Sequence, residues 1–141
     1  MSEARRLVYQ LTLPVRWADM DVNTHVNNVR FFTYFECARL DWAESVRTRA
    51  LRGGEGLVVA QASCNYIRPI PYPETVRVDL YTSPPGRTSF TMYYNLLSAG
   101  DPDIKYADGQ TVMVWVHRDS GKSLPLPDYM RNVLAPQTQR Q

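Results

Sequence analysis

Apolar and polar residues alternate strictly from Tyr9 to Trp17, with every second position apolar. Alternation of this kind is typical of a strand with one buried face. Pro14 falls inside the run and cannot donate a ladder hydrogen bond, which favours an edge strand or a bulge. The pattern therefore predicts a half-buried strand near the start of the chain.

From Asn28 the period changes to three and four residues. One predicted helical face carries Val29, Phe32, Phe35, Ala38, Trp42 and Val46. Phe31, Tyr34 and Cys37 widen that face, so we expect the helix to be enclosed on several sides. The pattern predicts a helix to about Leu51, with Asn27 or Asn28 as its N-cap and the glycines of 53–56 as its exit.

The rest of the chain is strand-like. Turns rich in proline and glycine separate four runs, at residues 57–67, 75–82, 89–98 and 104–116. Asp108-Gly109 fits either a tight hairpin turn or a strand interrupted by glycine, and the short flanking arms favour the interruption. One strand, one helix and four strands predict a single α+β domain over 1–141, with the helix against one antiparallel sheet. Residues 1–6 and 130–141 are expected to fray.

Composition narrows the function classes. The chain has 141 residues, is 44% hydrophobic and 21% charged, and carries a net charge of +2. This balance is typical of a soluble globular protein and gives no argument for a nucleic-acid partner. Two cysteines make no disulfide framework, and no apolar run approaches the ~20 residues of a membrane span. We therefore expect a cytoplasmic protein without a membrane partner.

Chemistry-bearing residues concentrate in residues 17–28, between the first strand and the helix. Two carboxylates, Asp19 and Asp21, lie there with His25 and three asparagines. Such groups at a helix entrance act either as caps and turn formers or as a catalytic site. Spacing alone leaves both interpretations of Asp21 open.

Six short motifs follow one another in a characteristic order: Asp19–Asp21, His25–Asn28, Phe35–Arg39, Tyr66–Ile70, Glu74–Val76 and Arg87–Phe90. Together they resemble acyl-CoA thioesterases of the 4-hydroxybenzoyl-CoA thioesterase type, over roughly Val15 to Pro127. The resemblance implies the hotdog fold, in which a five-stranded antiparallel sheet wraps one long central helix. It also implies a homodimer formed through sheet edges, with a homotetramer made of two dimers as a further arrangement.

The resemblance assigns roles within the polar cluster. Asp21 matches the acid that acts as nucleophile or general base on the thioester carbonyl, and the backbone N–H of Asn28 matches the oxyanion donor. Asp19 is expected to be structural, held by loop N–H groups or Arg16. His25 has a supporting role in packing or loop order. No metal or other cofactor is implied.

Substrate contacts are expected from further positions. Arg87 is the foremost candidate for the phosphates of coenzyme A, with Arg68 weaker. Asn65 and Tyr66 are candidates to face Asp21 across a subunit interface. Thr24 stands just before the histidine, where the family often has glycine, so it is expected to narrow the pocket or redirect the loop.

Several alternatives remain open at this stage. A hotdog hydratase acting on 2-enoyl-CoA would pair Asp21 with His25, and a non-catalytic module would only bind acyl-CoA or acyl-carrier protein. Glu36 and Arg39, three residues apart, are most simply a local ion pair. Acyl chain length, aromatic preference and the choice between coenzyme A and a carrier protein are not readable from the residues.

Overall fold

The computed structural model describes residues 4–46 and 54–135. Its strands and helices, in chain order, are β1 Arg6–Pro14, α1 Asn28–Ser45, β2 Glu55–Tyr66, β3 Thr75–Thr82, β4 Ser89–Ser98, β5 Lys105–His117 and α2 Asp128–Leu134. The strands form one antiparallel sheet in the order β1-β3-β4-β5-β2. The predicted α+β arrangement of one long helix against a five-stranded sheet is confirmed.

Helix α1 packs against one face of the sheet through a broad apolar surface. Its buried residues are Phe31, Tyr34, Phe35, Ala38 and Trp42. Val29, which the periodicity placed on the buried face, is instead 65% exposed, and Phe32 is only partly buried. The sheet covers the side of the helix that carries Phe31 and Tyr34. The buried face of the helix is therefore rotated about the helix axis relative to the predicted face.

Several boundaries differ from the prediction. β1 is an edge strand that ends at Pro14, and Trp17 opens a single 3-10 turn, Trp17–Asp19, rather than extending the strand. Helix α1 ends at Ser45, before the predicted Leu51, so the glycines of 53–56 are not its exit. Gly53 lies outside the described residues, Gly54 precedes β2 and Gly56 lies within it. No helix among the described residues is long and apolar enough to cross a membrane.

The C-terminal segment forms a second helix, so fraying from residue 130 is a wrong prediction. Met130 and Leu134, four residues apart, are both buried in the core beside Leu126. One turn of helix brings these two side chains to the same face, which is enough to dock a short helix. Arg6, also expected to fray, begins β1 and donates to the backbone carbonyl of Val133 in α2. Residues 1–3 and 136–141 lie outside the described residues.

Strand β5 runs without interruption through Gly109, contrary to the expected break. Gly109 is paired with Cys64 on one side and Tyr94 on the other. A Cβ atom at this position would lie 2.5 Å from the Phe35 ring and 2.8 Å from the Ser63 carbonyl oxygen. Glycine is therefore needed because the helix approaches the sheet most closely here, and Phe35 also stacks on Tyr94 with ring centroids 4.6 Å apart.

We predict that Gly109→Ala lowers the free energy of unfolding by about 2–3 kcal/mol, because the added methyl overpacks the contact between α1 and β5. Urea denaturation followed by circular dichroism measures the change. Gly100→Ala is the matched control, since nothing lies within 4 Å of a Cβ there. Equal stability of the two variants would contradict the close approach described at Gly109.

Candidate active site

Asp19 is a buried carboxylate that joins the loop to the helix. Its side chain is 2% exposed. Its oxygens accept hydrogen bonds from the Arg16 backbone N–H at 3.0 Å, the Arg16 guanidinium at 2.8 Å and the Tyr34 hydroxyl at 2.9 Å. Burial alone would raise the pKa of Asp19, but these donors hold the carboxylate ionised and bring its pKa below the usual value. The expected structural role of Asp19, with Arg16 as partner, is confirmed.

Three backbone contacts close the loop between Asp19 and the helix. Met20 and Val26 form an antiparallel bridge, and the Val26 N–H donates to the carbonyl of Ile70 at 3.0 Å. The Asn27 N–H donates to the Asp19 carbonyl at 2.8 Å. The segment from Asp21 to His25 is therefore a short excursion held at both ends.

Asp21 lies in this excursion with one carboxylate oxygen engaged. Its Oδ1 accepts from the N–H of Asn23 at 2.8 Å and, less closely, from the N–H of His25 at 3.4 Å. The Asp21 N–H donates in turn to the His25 carbonyl at 2.8 Å. Across the part of the chain that the structure describes, the other oxygen, Oδ2, has no hydrogen-bond partner. The turn-forming role of Asp21 is thus real, and it orients the carboxylate without occupying both oxygens.

Thr24 adopts a backbone conformation that ordinarily belongs to glycine. Its φ is +63°, the only positive φ of a non-glycine residue in the described ranges. A β-branched residue is disfavoured in this left-handed region because its Cβ crowds the backbone. The loop therefore takes a path at Thr24 that suits glycine better, at some cost in strain.

The N-terminus of α1 supplies a free donor next to this loop. Asn27 is the N-cap, and its side-chain oxygen accepts from the Val29 N–H at 3.1 Å. No group in the described ranges accepts from the Asn28 N–H, which is the first N–H of the helix. Such N–H groups, together with the helix dipole, attract negative charge. Tyr66 fixes this turn because its hydroxyl donates to the Asn28 carbonyl at 2.9 Å.

The remaining predicted site residues fall in different places. Arg68 is exposed in the loop after β2, at the same end of the sheet as the helix N-terminus. Asn65 bonds to Asp108 at 2.9 Å, on the sheet face away from α1, because strand alternation puts it opposite to Tyr66. Within one chain the structure therefore separates Asn65 from Asp21.

Arg87 lies at the other end of the sheet. It precedes β4, whose first residue, Ser89, is level with Val58 near the start of β2. Eight residues of strand separate that level from Tyr66, or ~26 Å at 3.3 Å per residue. In a single chain Arg87 is thus remote from Asp21 and the helix N-terminus.

Cysteine chemistry is disfavoured. Burial raises the pKa of both thiols, that of Cys64 to about 11, so neither is a thiolate near neutral pH. No three histidine, cysteine, aspartate or glutamate side chains in the described ranges come together as a metal site.

A cavity of about 280 Å³ between α1 and β2 was missed by the sequence reasoning. Its walls are Val29, Phe32, Thr33, Phe35, Glu36, Arg39, Val59, Ala62 and Thr111. It begins at the residue after Asn28 and follows the helix, so the candidate oxyanion donor lies at one end of it. Its sequence signal is an apolar helix surface broader than one sheet face can cover, which leaves Val29 65% exposed.

Residues 15–134 match the family model described as the thioesterase-like superfamily. The chain belongs to this superfamily. The resemblance to hotdog acyl-CoA thioesterases is confirmed, and with it the enzyme class, a thioester hydrolase. The match spans the loop, the helix, all of the sheet after β1 and α2.

Similar proteins share both sequence and fold with this thioesterase-like chain. The uncharacterised Bacillus subtilis (strain 168) protein YsmA is 32% identical over 123 residues, covering 85% of this chain and 80% of YsmA. The Pseudomonas aeruginosa protein PA2801 has a TM-score of 0.86 at 37% identity, covering 92% of this chain and 100% of that one. A thioesterase from Thermus thermophilus, complexed with coenzyme A and zinc, has a TM-score of 0.78 at 31% identity, covering 91% and 92%.

We predict that Asp19→Asn lowers the free energy of unfolding at neutral pH by about 2 kcal/mol, because charge-assisted hydrogen bonds are lost in a buried site. The lowered pKa of Asp19 also fixes a pH dependence. The unfolded chain takes up a proton near pH 4 while the folded carboxylate stays ionised, so wild-type stability falls as the pH drops below about 4. The variant lacks this component.

Urea denaturation at pH 7, 5, 4 and 3 measures both effects. Asp101→Asn, in the exposed turn before β5, is the control and should keep the wild-type profile. An unchanged pH profile in Asp19→Asn would contradict the role described for the buried carboxylate.

Proposed function

We propose that this protein hydrolyses acyl-CoA thioesters to a free carboxylic acid and coenzyme A, with Asp21 and the Asn28 N–H as its catalytic groups. One observation carries the proposal. In the described ranges, one carboxylate oxygen of Asp21 and the Asn28 N–H at the start of α1 both lack a hydrogen-bond partner. Membership of the thioesterase-like superfamily supports the reaction class.

The reaction needs a nucleophile at the thioester carbon and stabilisation of the carbonyl oxygen. The free oxygen of Asp21 attacks the carbon directly, or it takes a proton from a water that attacks. The carbonyl oxygen becomes negative and is stabilised by the Asn28 N–H and the helix dipole. The C–S bond then breaks and the coenzyme A thiolate takes up a proton. In the direct route this leaves a mixed anhydride of Asp21, which water hydrolyses to the acid product and the free carboxylate; in the water route the acid forms at once. His25 orders Asp21 through its backbone N–H.

Two neighbouring exposed surfaces, the edge strand β2 and one face of α1, support a dimer. β2 is an edge strand of 12 residues, and 58–63 are exposed throughout. On the neighbouring helix face, Val29 and Leu40 are 65% and 59% exposed. A long apolar edge is an aggregation hazard unless another chain covers it. A second copy pairing antiparallel with β2 would continue the sheet and cover both surfaces.

Such a dimer would also bring the predicted substrate residues together. A two-fold axis between antiparallel β2 strands reverses the sheet, so the Arg87 end of one protomer lies at the Asp21 end of its partner. Arg68 is already at that end within each chain. The phosphates of coenzyme A would then meet arginines from both protomers, and the bound coenzyme A in the Thermus thermophilus relative supports this substrate class.

We predict that Asp21→Asn lowers kcat for acyl-CoA hydrolysis about 10²–10⁴-fold, because the amide is neither nucleophile nor base. The fold should persist, since the amide oxygen can still accept from the Asn23 N–H. Release of free thiol, measured over short, long and aromatic acyl-CoAs, gives the rates. Asp101→Asn is the control, because Asp101 accepts from Asp103 N–H in a similar turn.

Three outcomes would overturn these roles. If His25→Ala abolishes activity while Asp21→Asn does not, the histidine is the catalytic group. If the wild type hydrates crotonyl-CoA without releasing coenzyme A, the protein is a hydratase. A purely binding protein would show only weak hydrolysis that Asp21→Asn leaves unchanged.

We predict that the double substitution Val58→Lys with Gln61→Lys converts the dimer to a monomer and removes most activity. Both side chains are exposed in one protomer, but they would meet like charges across the two-fold axis. Light scattering coupled to gel filtration measures the mass. Thr12→Lys, exposed on the opposite edge strand β1, is the control and should remain dimeric. If the protein with Val58→Lys and Gln61→Lys stays dimeric, the interface lies elsewhere.

A further inference from the structure

The cavity between α1 and β2 holds a guanidinium among largely apolar walls. Arg39 is one of its lining residues, and its side chain is only 15% exposed. Val29, Phe32, Val59 and Ala62 provide the apolar part of the wall. A cation largely removed from water is costly unless an anion or several hydrogen bonds accompany it. The surroundings of Arg39 therefore decide what the cavity is suited to bind.

The predicted ion pair of Arg39 with Glu36 is present at 3.9 Å, and a closer contact from the sheet also positions the guanidinium. One guanidinium nitrogen donates to the Tyr94 hydroxyl at 3.2 Å, and that hydroxyl lies 2.7 Å from the Thr111 hydroxyl. Tyr94 is buried and stacked on Phe35, so this chain of polar groups is rigid. The hydrogen-bond partner of the guanidinium is thus a neutral hydroxyl and not a carboxylate.

Glu36 is a loose partner. Its nearest oxygen lies 3.9 Å from the guanidinium, beyond hydrogen-bond distance, and its side chain is 56% exposed. In the part of the chain that the structure describes, no carboxylate is hydrogen-bonded to Arg39. Arginine offers five N–H donors in a planar fork that suits a carboxylate, so most of its capacity is available to a ligand.

The position of Arg39 along the helix relates it to the proposed chemistry. Arg39 is 11 residues after Asn28, or ~16 Å at the rise of an α-helix. Suppose that the thioester carbonyl binds the Asn28 N–H and that the acyl chain follows the cavity. The far end of the chain would then approach the guanidinium. Apolar walls suit the methylene chain, and the cation suits a negative terminus.

Building on the proposed hydrolase function, we infer that the preferred substrates are ω-carboxyacyl-CoA thioesters, the mono-thioesters of dicarboxylic acids, with Arg39 binding the terminal carboxylate. The reaction is the thioester hydrolysis described above, and its acid product is a free dicarboxylic acid.

The test compares ω-carboxyacyl-CoAs of six to twelve acyl carbons with plain acyl-CoAs of equal length. We expect wild-type kcat/KM to favour the carboxylated member about 10-fold or more at the best length, as a charge-assisted contact allows. Arg39→Met should abolish or reverse that preference, and Arg39→Lys should restore part of it. Glu36→Gln should lower KM for the carboxylated substrates, because a competing carboxylate is removed.

The outcomes separate this inference from the proposed function. If plain acyl-CoAs are hydrolysed without a carboxylate preference at any length, or if Arg39→Met lowers both classes by the same factor, the inference fails and the hydrolase remains. A stronger preference for ω-hydroxyacyl-CoAs would also overturn it. If wild type hydrolyses no acyl-CoA, the proposed function fails. In that case calorimetry measures how tightly wild type and Arg39→Met bind a non-hydrolysable ω-carboxyalkyl-CoA thioether. This tests whether Arg39 recognises the carboxylate, independently of hydrolysis.

Discussion

The geometry of the candidate site depends on one carboxylate that has been taken out of water. Asp19 ends the 3-10 turn and contacts both the loop and the second turn of α1. Each of these segments contributes a donor or a backbone contact to it. An isolated ion in this position would be strongly unfavourable, and it is stabilised by Arg16, by Tyr34 and by the Arg30 guanidinium 3.7 Å away. The entry of the chain into α1 is thereby fixed, and with it the direction in which the Asn28 N–H points.

Local sequence patterns predicted the bounds of β3 and β4, but they could not predict contacts between elements that are distant in the chain. The bounds of β3 and β4 follow from proline- and glycine-rich turns beside alternating residues, and these are short-range signals. The uninterrupted course of β5 depends on Phe35, far away in the chain, so glycine at 109 reads as a break until the helix is in place. Helix α2 was hidden because two buried side chains in a polar segment make a weak pattern.

The site shows the same division. Asp21 and Asn28 are seven residues apart in one compact loop, so the sequence alone places them near each other, whereas their catalytic roles rest on the family resemblance and stay a prediction. Asn65 and Arg87 required knowledge of which sheet face and which sheet end each occupies, and a period of two along a strand settles neither. Helical spacing predicted the ion pair of Arg39 with Glu36, which is present at 3.9 Å, but it could not reveal the hydrogen bond to Tyr94, on a strand 55 residues later.

The left-handed backbone at Thr24 affects how the loop can move. A glycine there would cross between positive and negative φ at little cost, so the loop would sample several shapes. Threonine is stable in the left-handed state only while the bonds from Asp21 to its neighbours hold it. Releasing those bonds would let the residue relax by ~1–2 kcal/mol into the ordinary region. Threonine thus leaves the loop fewer backbone conformations than glycine would, and the carboxylate that is proposed to do the chemistry also holds the strained one through its bond to the Asn23 N–H.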